Sequence, residues 1–385
     1  MIRLLDFQLS GRLLFGRGAL SELPSALARL NVERVLIVTD PGLVRAGLCA
    51  RVVDTLAGTN IEHAVFDGVE PDPRMAIVER CLAAARDSGC EALIGLGGGS
   101  ALDIAKITAA LLTNPGDVSQ YFGVDQIPNA SLPKVLIPTT SGTGSEVSPI
   151  AILSDVDAHL KKGVVSHRLY ADVAIVDPDL TLGLPPHITA YTGVDALTHA
   201  IEAYTNKYAH PLVDGFALQA IELINNSLRR AVACGDDPEA RFEMSMASTL
   251  GGFCLGTVNT GAVHALAYPL GGEFDVPHGV ANSLLLPYVM RYNLISNVDR
   301  FAHIARVMGC QTEGLSQREA AELSVDAVME LCRDVGIVSR MRDLDVPESA
   351  IESMAVAAMD VTRLLSINPR TVTLEAAREI YRQAY

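Results

Sequence analysis

The chain has 385 residues, enough for two domains at roughly 150 residues each. Its 45 acidic and 30 basic residues leave a formal net charge of −15, which repels a phosphate backbone or an anionic bilayer and excludes nucleic acid and membrane as expected partners. With 49% hydrophobic and 19% charged residues, the balance is that of a folded globular chain.

The first twenty residues scatter Arg3, Asp6, Arg12 and Arg17 among apolar ones, so this stretch is not expected to act as a signal-type segment. The longest stretch without Asp, Glu, Lys or Arg, 244–272, is broken by Asn259, His264, Pro269 and several glycines and reads as core, not as a bilayer span. A cytoplasmic location is the expectation. The seven cysteines are widely spaced with no CxxC pair, so reduced core thiols are expected.

In the first half, short β-branched runs at 34–39 (RVLIVT), 92–96 (ALIGL), 134–138 (KVLIP) and 173–176 (VAIV) read as buried strands. Helical periodicity at 75–88 and 100–113 falls between them. Strand and helix alternating in this way predict an α/β domain with a mostly parallel sheet. After about Asp177 the strand-like runs stop, and Ala/Leu/Met-rich segments at 212–233, 239–255, 317–335 and 374–385 predict an all-helical second domain. The GLPP punctuation at 183–186 sets the expected domains at 1–182 and 183–385.

Three constellations carry chemistry. The run GLGGGSALDIAK (95–106) leaves a strand and enters a helix, where main-chain amides hold phosphate and glycines admit a ligand close to the backbone. A merely tight strand-to-helix turn is the plainer reading. The second, PTTSGTGSEVS (138–148), is a hydroxyl-rich loop after a parallel strand, where α/β sheets bind ligands; self-capping by Thr143 and Ser145 is its plainer reading. Asp40 closes the first clear strand, where an acid bonds ribose hydroxyls and repels a 2′-phosphate, although it precedes the glycine turn rather than following it.

In the third, TAYTGVDALTHAIEAY (189–204) reads as a helix with Asp195 and His199 four apart on one face, while a Gly/Pro-rich segment downstream carries His264 and His278. A single histidine in an apolar segment is ordinarily a hydrogen-bonded core residue. Three imidazoles and one carboxylate together suit a borderline divalent ion such as zinc or ferrous iron. Glu202 reads equally as an acceptor behind a ligand and as a solvated residue.

From FGRGAL at Phe15 through GLGGGSALDIAK, PTTSGTGSEVS, VDPDLTLGLPP and TGVDALTHAIEAY to HGVANSLLLPYVMRYN, the chain resembles the iron-containing (group III) alcohol dehydrogenases. That resemblance implies a Rossmann-like N-terminal dinucleotide-binding domain, a helical C-terminal domain of the dehydroquinate synthase-like type, a cleft between them, and a homodimer. It implies a metal, Fe2+ or Zn2+, on Asp195, His199, His264 and His278. It also implies NAD contacts from Asp40, Gly98, Gly99, Ser100, Thr139, Thr140, Thr143 and Leu180, and from Lys162, whose place neighbouring Lys161 could take. Hydride transfer between NAD(H) and an alcohol, aldehyde or hydroxy acid is the implied reaction. Two departures stand out. Tyr268 occupies a position near substrate where many relatives have histidine, and Asp72 replaces the asparagine of a PNP turn.

Rival readings are a metal-free reductase of the maleylacetate reductase type, a lyase of the dehydroquinate synthase type, and a cofactor-sensing regulator that kept the fold. Four filled ligand positions argue against the first and third, and the scarcity of Lys and Arg near them against the second.

Overall fold

The computed structural model of the protein describes residues 4–155 and 160–385. They form two compact units: residues 8–182, and residues 183–385 together with the segment 4–7.

The first unit is built on nine strands: β1 (Arg12–Phe15), β2 (Arg34–Val38), β3 (Glu62–Phe66), β4 (Ala92–Gly97), β5 (Gly123–Val124), β6 (Lys134–Pro138), β7 (Ile150–Asp155), β8 (Leu160–Val165) and β9 (Val173–Val176). Six of them make one sheet in the order β1-β9-β6-β4-β2-β3, with every pairing parallel. The four interior strands are buried on both faces, which is why they read as unbroken apolar runs. Edge strand β3, EHAVF, is half exposed and mixes charge with apolar residues. Helices α1 (Leu23–Leu30), α2 (Pro41–Arg45), α3 (Leu48–Thr55), α4 (Met75–Ser88) and α5 (Gly99–Leu111) connect the strands. Because all six strands run the same way, the residues that follow β2, β4, β6 and β9 emerge along one carboxyl edge, where such sheets bind ligands. A smaller sheet, β5-β8-β7, stands beside it, with β7 and β8 antiparallel.

The second unit is helical: α6 (Pro186–Thr205), α7 (Pro211–Ala233), α8 (Pro238–Leu255), α9 (Ala262–Phe274), α10 (His278–Asn293), α11 (Val298–Val307), α12 (Gln317–Asp334), α13 (Ile351–Met359), α14 (Thr362–Leu365) and α15 (Leu374–Ala384). Helix α6 is buried nearly throughout, which fits its weakly amphipathic sequence. The segment at 264–279 that reads as Gly/Pro-rich is helical over most of its length. Pro269 lies inside α9 and Pro287 inside α10, each removing one N–H from its ladder in a helix whose body is packed into the core. Phe7 stacks on Phe216 of α7 at 6.0 Å and holds the N-terminal segment to this unit.

Candidate functional site

In the first unit, β4 runs into α5 through Gly97, Gly98 and Gly99. Gly97 has a φ of +150°, open to glycine and strained for other residues. A Cβ there would stand 2.7 Å from the Ala101 Cβ and 3.8 Å from Asp40 Oδ2, so Asp40 lies beside the glycine turn. The other oxygen, Oδ1, caps α2 by accepting from the amides of Gly42 and Leu43 at 2.7 and 3.1 Å, so Asp40 is a turn former as well as a candidate ribose acceptor. Gly98 is the N-cap of the 13-residue α5, and no side chain caps that end.

The loop after β6 lies against this turn. Thr139 N–H donates to Gly97 O at 3.0 Å, continuing the ladder. A Cβ on Gly99 would fall 2.7 Å from Thr143 Cγ2, and one on Gly98 would fall 3.5 Å from Thr140 Oγ1. The structure therefore brings Asp40, Gly98, Gly99, Ser100, Thr139, Thr140 and Thr143 to one stretch of the sheet edge. Helix α5 is fastened to the same loop by Asp103, which accepts from Ser145 Oγ at 2.6 Å and from Ile152 N–H at 2.9 Å. Buried Lys106 reaches Ile150 O at 2.6 Å and Asp103 Oδ1 at 3.3 Å.

Of two further candidates, one follows β9 and the other lies on β8. Leu180, after β9, is buried in the apolar core on one face of the sheet. Lys162, on β8, pairs with Asp155 at 2.6 Å and lies 5.6 Å from the Phe122 ring centroid. Its neighbour Lys161 is buried and pairs with Asp72 at 2.5 Å, so the aspartate of the PDP turn is held by an ammonium group.

In the second unit, Asp195 and His199 lie one turn apart on α6, and His264 lies in the first turn of α9. One ligand atom from each falls within 4.8 Å of the others, all three residues being buried. The His199 and His264 rings stack with centroids 4.9 Å apart. His264 Nε2 faces Asp195 Oδ1 at 3.9 Å and makes no hydrogen bond. Its Nδ1 lies 2.6 Å from Glu202 Oε2. Burial disfavours the charged Asp195 carboxylate, but His199, His278 and His264 and the Asn282 amide outweigh it and hold its carboxyl below the usual aspartate range.

His278 opens α10 outside that tight set. Its ring centroid is 5.4 Å from that of His264, and its Nε2 lies 3.0 Å from Asn282 Nδ2, which also donates to Asp195 Oδ1 at 2.7 Å. Tyr268, one turn beyond His264, is buried with its ring centroid 6.4 Å from that of His278.

Sequence reasoning passed over Asn282, Asp103 and Lys106. Each is a polar residue in an otherwise apolar helix, spaced one turn along a face already marked: Asn282 four after His278, Asp103 three after Ser100, and Lys106 three after Asp103. A buried polar residue at that spacing is the signal that finds them.

A parallel sheet with an uncapped glycine turn at its carboxyl edge, and a helical unit holding buried Asp, His and His side chains around one point, are arrangements expected of an oxidoreductase that uses a dinucleotide and a metal ion. Comparison with known proteins makes this specific. Residues 10–178 match the family described as iron-containing alcohol dehydrogenase, and residues 189–385 match the C-terminal part of the Fe-containing alcohol dehydrogenase family. The chain is 44% identical over 374 residues to long-chain-alcohol dehydrogenase 1 of Geobacillus thermodenitrificans, covering 96% of this chain and 94% of that one. A crystal structure of a 1,3-propanediol oxidoreductase superposes with a TM-score of 0.97 at 41% identity, covering all of both chains. A sulfoacetaldehyde reductase from Bifidobacterium kashiwanohense, solved in complex with NAD+, superposes with a TM-score of 0.88 at 30% identity over 99% of each chain. The chain belongs to the iron-containing alcohol dehydrogenase family, and it is an alcohol dehydrogenase or aldehyde reductase.

Proposed function

We propose that the enzyme exchanges a hydride between NAD(H) and a small primary or secondary alcohol or its carbonyl partner, hydroxy acids included, with a divalent ion held by Asp195, His199, His264 and His278. The observation that carries this reading is the buried His264 Nε2, which makes no hydrogen bond and faces the Asp195 carboxylate at 3.9 Å. A buried ring nitrogen left so is costly unless a cation takes its lone pair. Three imidazoles and a carboxylate suit ferrous iron, which the family description favours, and zinc as well. When bound, the ion polarises the alcohol or carbonyl oxygen.

The chain's own residues supply the rest. Asp195, held ionised, offsets one of the ion's two charges and leaves a net positive site for an oxygen of the substrate. The amides at Gly98, Gly99 and Ser100 receive the pyrophosphate, with Thr139, Thr140 and Thr143 beside them. Asp40 Oδ2 accepts from the adenosine ribose and repels a 2′-phosphate, which favours NAD over NADP. Leu180 offers an apolar wall, Lys162 an ammonium, and Tyr268 a wall that bears on substrate choice. A cytoplasmic homodimer is the assembly we propose. The NAD+ complex of the sulfoacetaldehyde reductase relative supports the choice of cofactor.

The test is to strip the protein with a chelator, follow NADH absorbance with a panel of aldehydes, ketones and keto acids, and then add back Fe2+ or Zn2+. Turnover that disappears on stripping and returns with the ion supports the reading. Full turnover in the stripped protein defeats it.

A further inference from the structure

We infer that Glu202 is a positioning residue whose two carboxylate oxygens fix the tautomer of His264 and thereby make it a metal ligand; this rests on the metal-binding role proposed for His264. Glu202 lies on α6, one turn beyond His199, and is 5% exposed. Oε1 accepts from the Val263 N–H at 2.7 Å, and Oε2 lies 2.6 Å from His264 Nδ1.

Both neighbours demand an acceptor. The Val263 amide sits in the first turn of α9, whose N-cap Gly261 brings no side chain, and a backbone N–H can only donate. A histidine that ligates through Nε2 must leave that atom unprotonated, so its proton sits on Nδ1 and donates to Glu202. A carboxylate meets both donors because it has two acceptor oxygens. Glutamine cannot. With its oxygen on Val263, its NH2 faces Nδ1, which draws the proton to Nε2 and closes the ligand atom. Turned the other way, its NH2 faces the Val263 N–H.

The neighbouring amide supplies a contrast within the same turn. Ala262 N–H is served by Asn368 Oδ1 at 3.2 Å, a neutral side chain, so capping α9 does not in itself call for a charge. The carboxylate stands where the imidazole is.

The experiment measures Zn2+ affinity by chelator competition in wild type, Glu202→Gln and Glu202→Asp, alongside NADH affinity and thermal melting. Glu202→Gln should bind Zn2+ about 10–100-fold more weakly, with NADH affinity unchanged and the helical circular dichroism retained. Glu202→Asp, with two acceptors on a shorter stem, should fall between. A Glu202→Gln protein that binds Zn2+ within threefold of wild type overturns the inference. A wild type that takes up no Zn2+ overturns the metal reading instead, and this one with it. Should Glu202→Gln not fold, 15N-labelled histidine spectra of the metal-free wild type decide: a proton on Nδ1 of His264 supports the assignment, and a proton on Nε2 overturns it.

Discussion

Ser145 Oγ donates to Asp103 Oδ1 at 2.6 Å, and that hydrogen bond, with a longer one from Lys106 Nζ to Ser148 O at 3.4 Å, fastens the hydroxyl-rich loop after β6 to the helix that opens at the glycine turn. Thr143, packed against Gly99, is tied into the same loop by accepting from the Ser145 N–H at 3.2 Å. If the loop and turn hold the cofactor together, loosening the fastening should weaken cofactor binding and leave the helical unit alone. A buried hydrogen bond to a charged group contributes roughly 1.5–3 kcal/mol. Ser145→Ala is expected to raise the NADH dissociation constant about tenfold, equivalent to ~1.4 kcal/mol, with Zn2+ affinity unchanged. A fluorescence titration checks it; an affinity within twofold of wild type would leave the loop without this role.

Asp103 has a second duty as counter-ion to Lys106. Burial pushes the Lys106 ammonium below its usual range, while Asp103 and Glu146 push it back up. Asp103→Asn keeps the shape but leaves an ammonium group buried with less compensation. The expected loss is about 3–5 kcal/mol, or roughly 6–20 °C in melting temperature for a unit of this size. Replacing the lysine too, as Asp103→Asn with Lys106→Met, should recover much of that loss, since apolar substitutes for buried pairs are often neutral. Calorimetry showing the double variant less stable than Asp103→Asn alone would count against the charge argument.

What was legible in the sequence follows the physics of burial. Strands β2, β4, β6 and β9 are covered on both faces and read as continuous apolar runs, and α4 reads to both of its ends because Gly89 terminates it in the left-handed region. Edge strand β3 and the β7–β8 hairpin read weakly, since half-exposed strands mix polar and apolar residues without a run. Pro269 and Gly271 make 264–279 look irregular, and its helices depend on packing that local propensity does not contain. Asp195 and His199 share a helix face by spacing alone. Their grouping with His264, 65 positions beyond His199, was read from residue types that suit one divalent ion and strengthened by resemblance to a family, while choosing between the two readings of Glu202, and finding Asn282, needed the fold to show what each one touches.

Asp40 separates two effects that a single substitution would confuse. Its Oδ1 caps α2, and its charge stands beside the glycine turn. Asp40→Ala removes both and should cost about 1 kcal/mol for the cap. Asp40→Ser keeps a capping oxygen and loses only the charge. Asp40→Ser should therefore melt close to wild type while gaining turnover with NADPH and losing some with NADH, measured as the ratio of kcat/KM for the two cofactors. An unchanged ratio would remove Asp40 from cofactor choice.

Gly99 tests the packing of the two loops directly. A Cβ there meets Thr143 Cγ2 at 2.7 Å and Thr143 Oγ1 at 3.1 Å, closer than a settled contact allows, so Gly99→Ala must displace the Thr143 side chain or the 139–145 loop that carries it. The helix itself welcomes alanine. The expected result is a melting temperature near that of wild type with NADH affinity reduced about tenfold or more, the ~1–3 kcal/mol of overpacking falling on the loop. A variant that binds NADH normally would show that Thr143 moves aside at no cost and does not position the cofactor.

Ligand binding to the folded state alone raises stability by about 2.7 kcal/mol at a hundredfold excess over the dissociation constant. If Asp195, His199 and His264 hold an ion, Zn2+ should raise the melting temperature of the wild-type helical unit by several degrees and do nothing for Asp195→Ala or His264→Ala. Those variants should also lose bound metal by elemental analysis and lose turnover, while NADH affinity stays within twofold of wild type, because the cofactor contacts proposed here all lie in the other unit. Removing Asp195 takes away a buried negative charge whose neighbours favour its ionised form, so the Asn282 amide loses its acceptor and the metal-free variant should melt somewhat lower than metal-free wild type. The decisive comparison is the zinc-dependent shift, which that structural loss does not mimic. An equal shift in wild type and in both variants would place the ion elsewhere and end the assignment of this cluster.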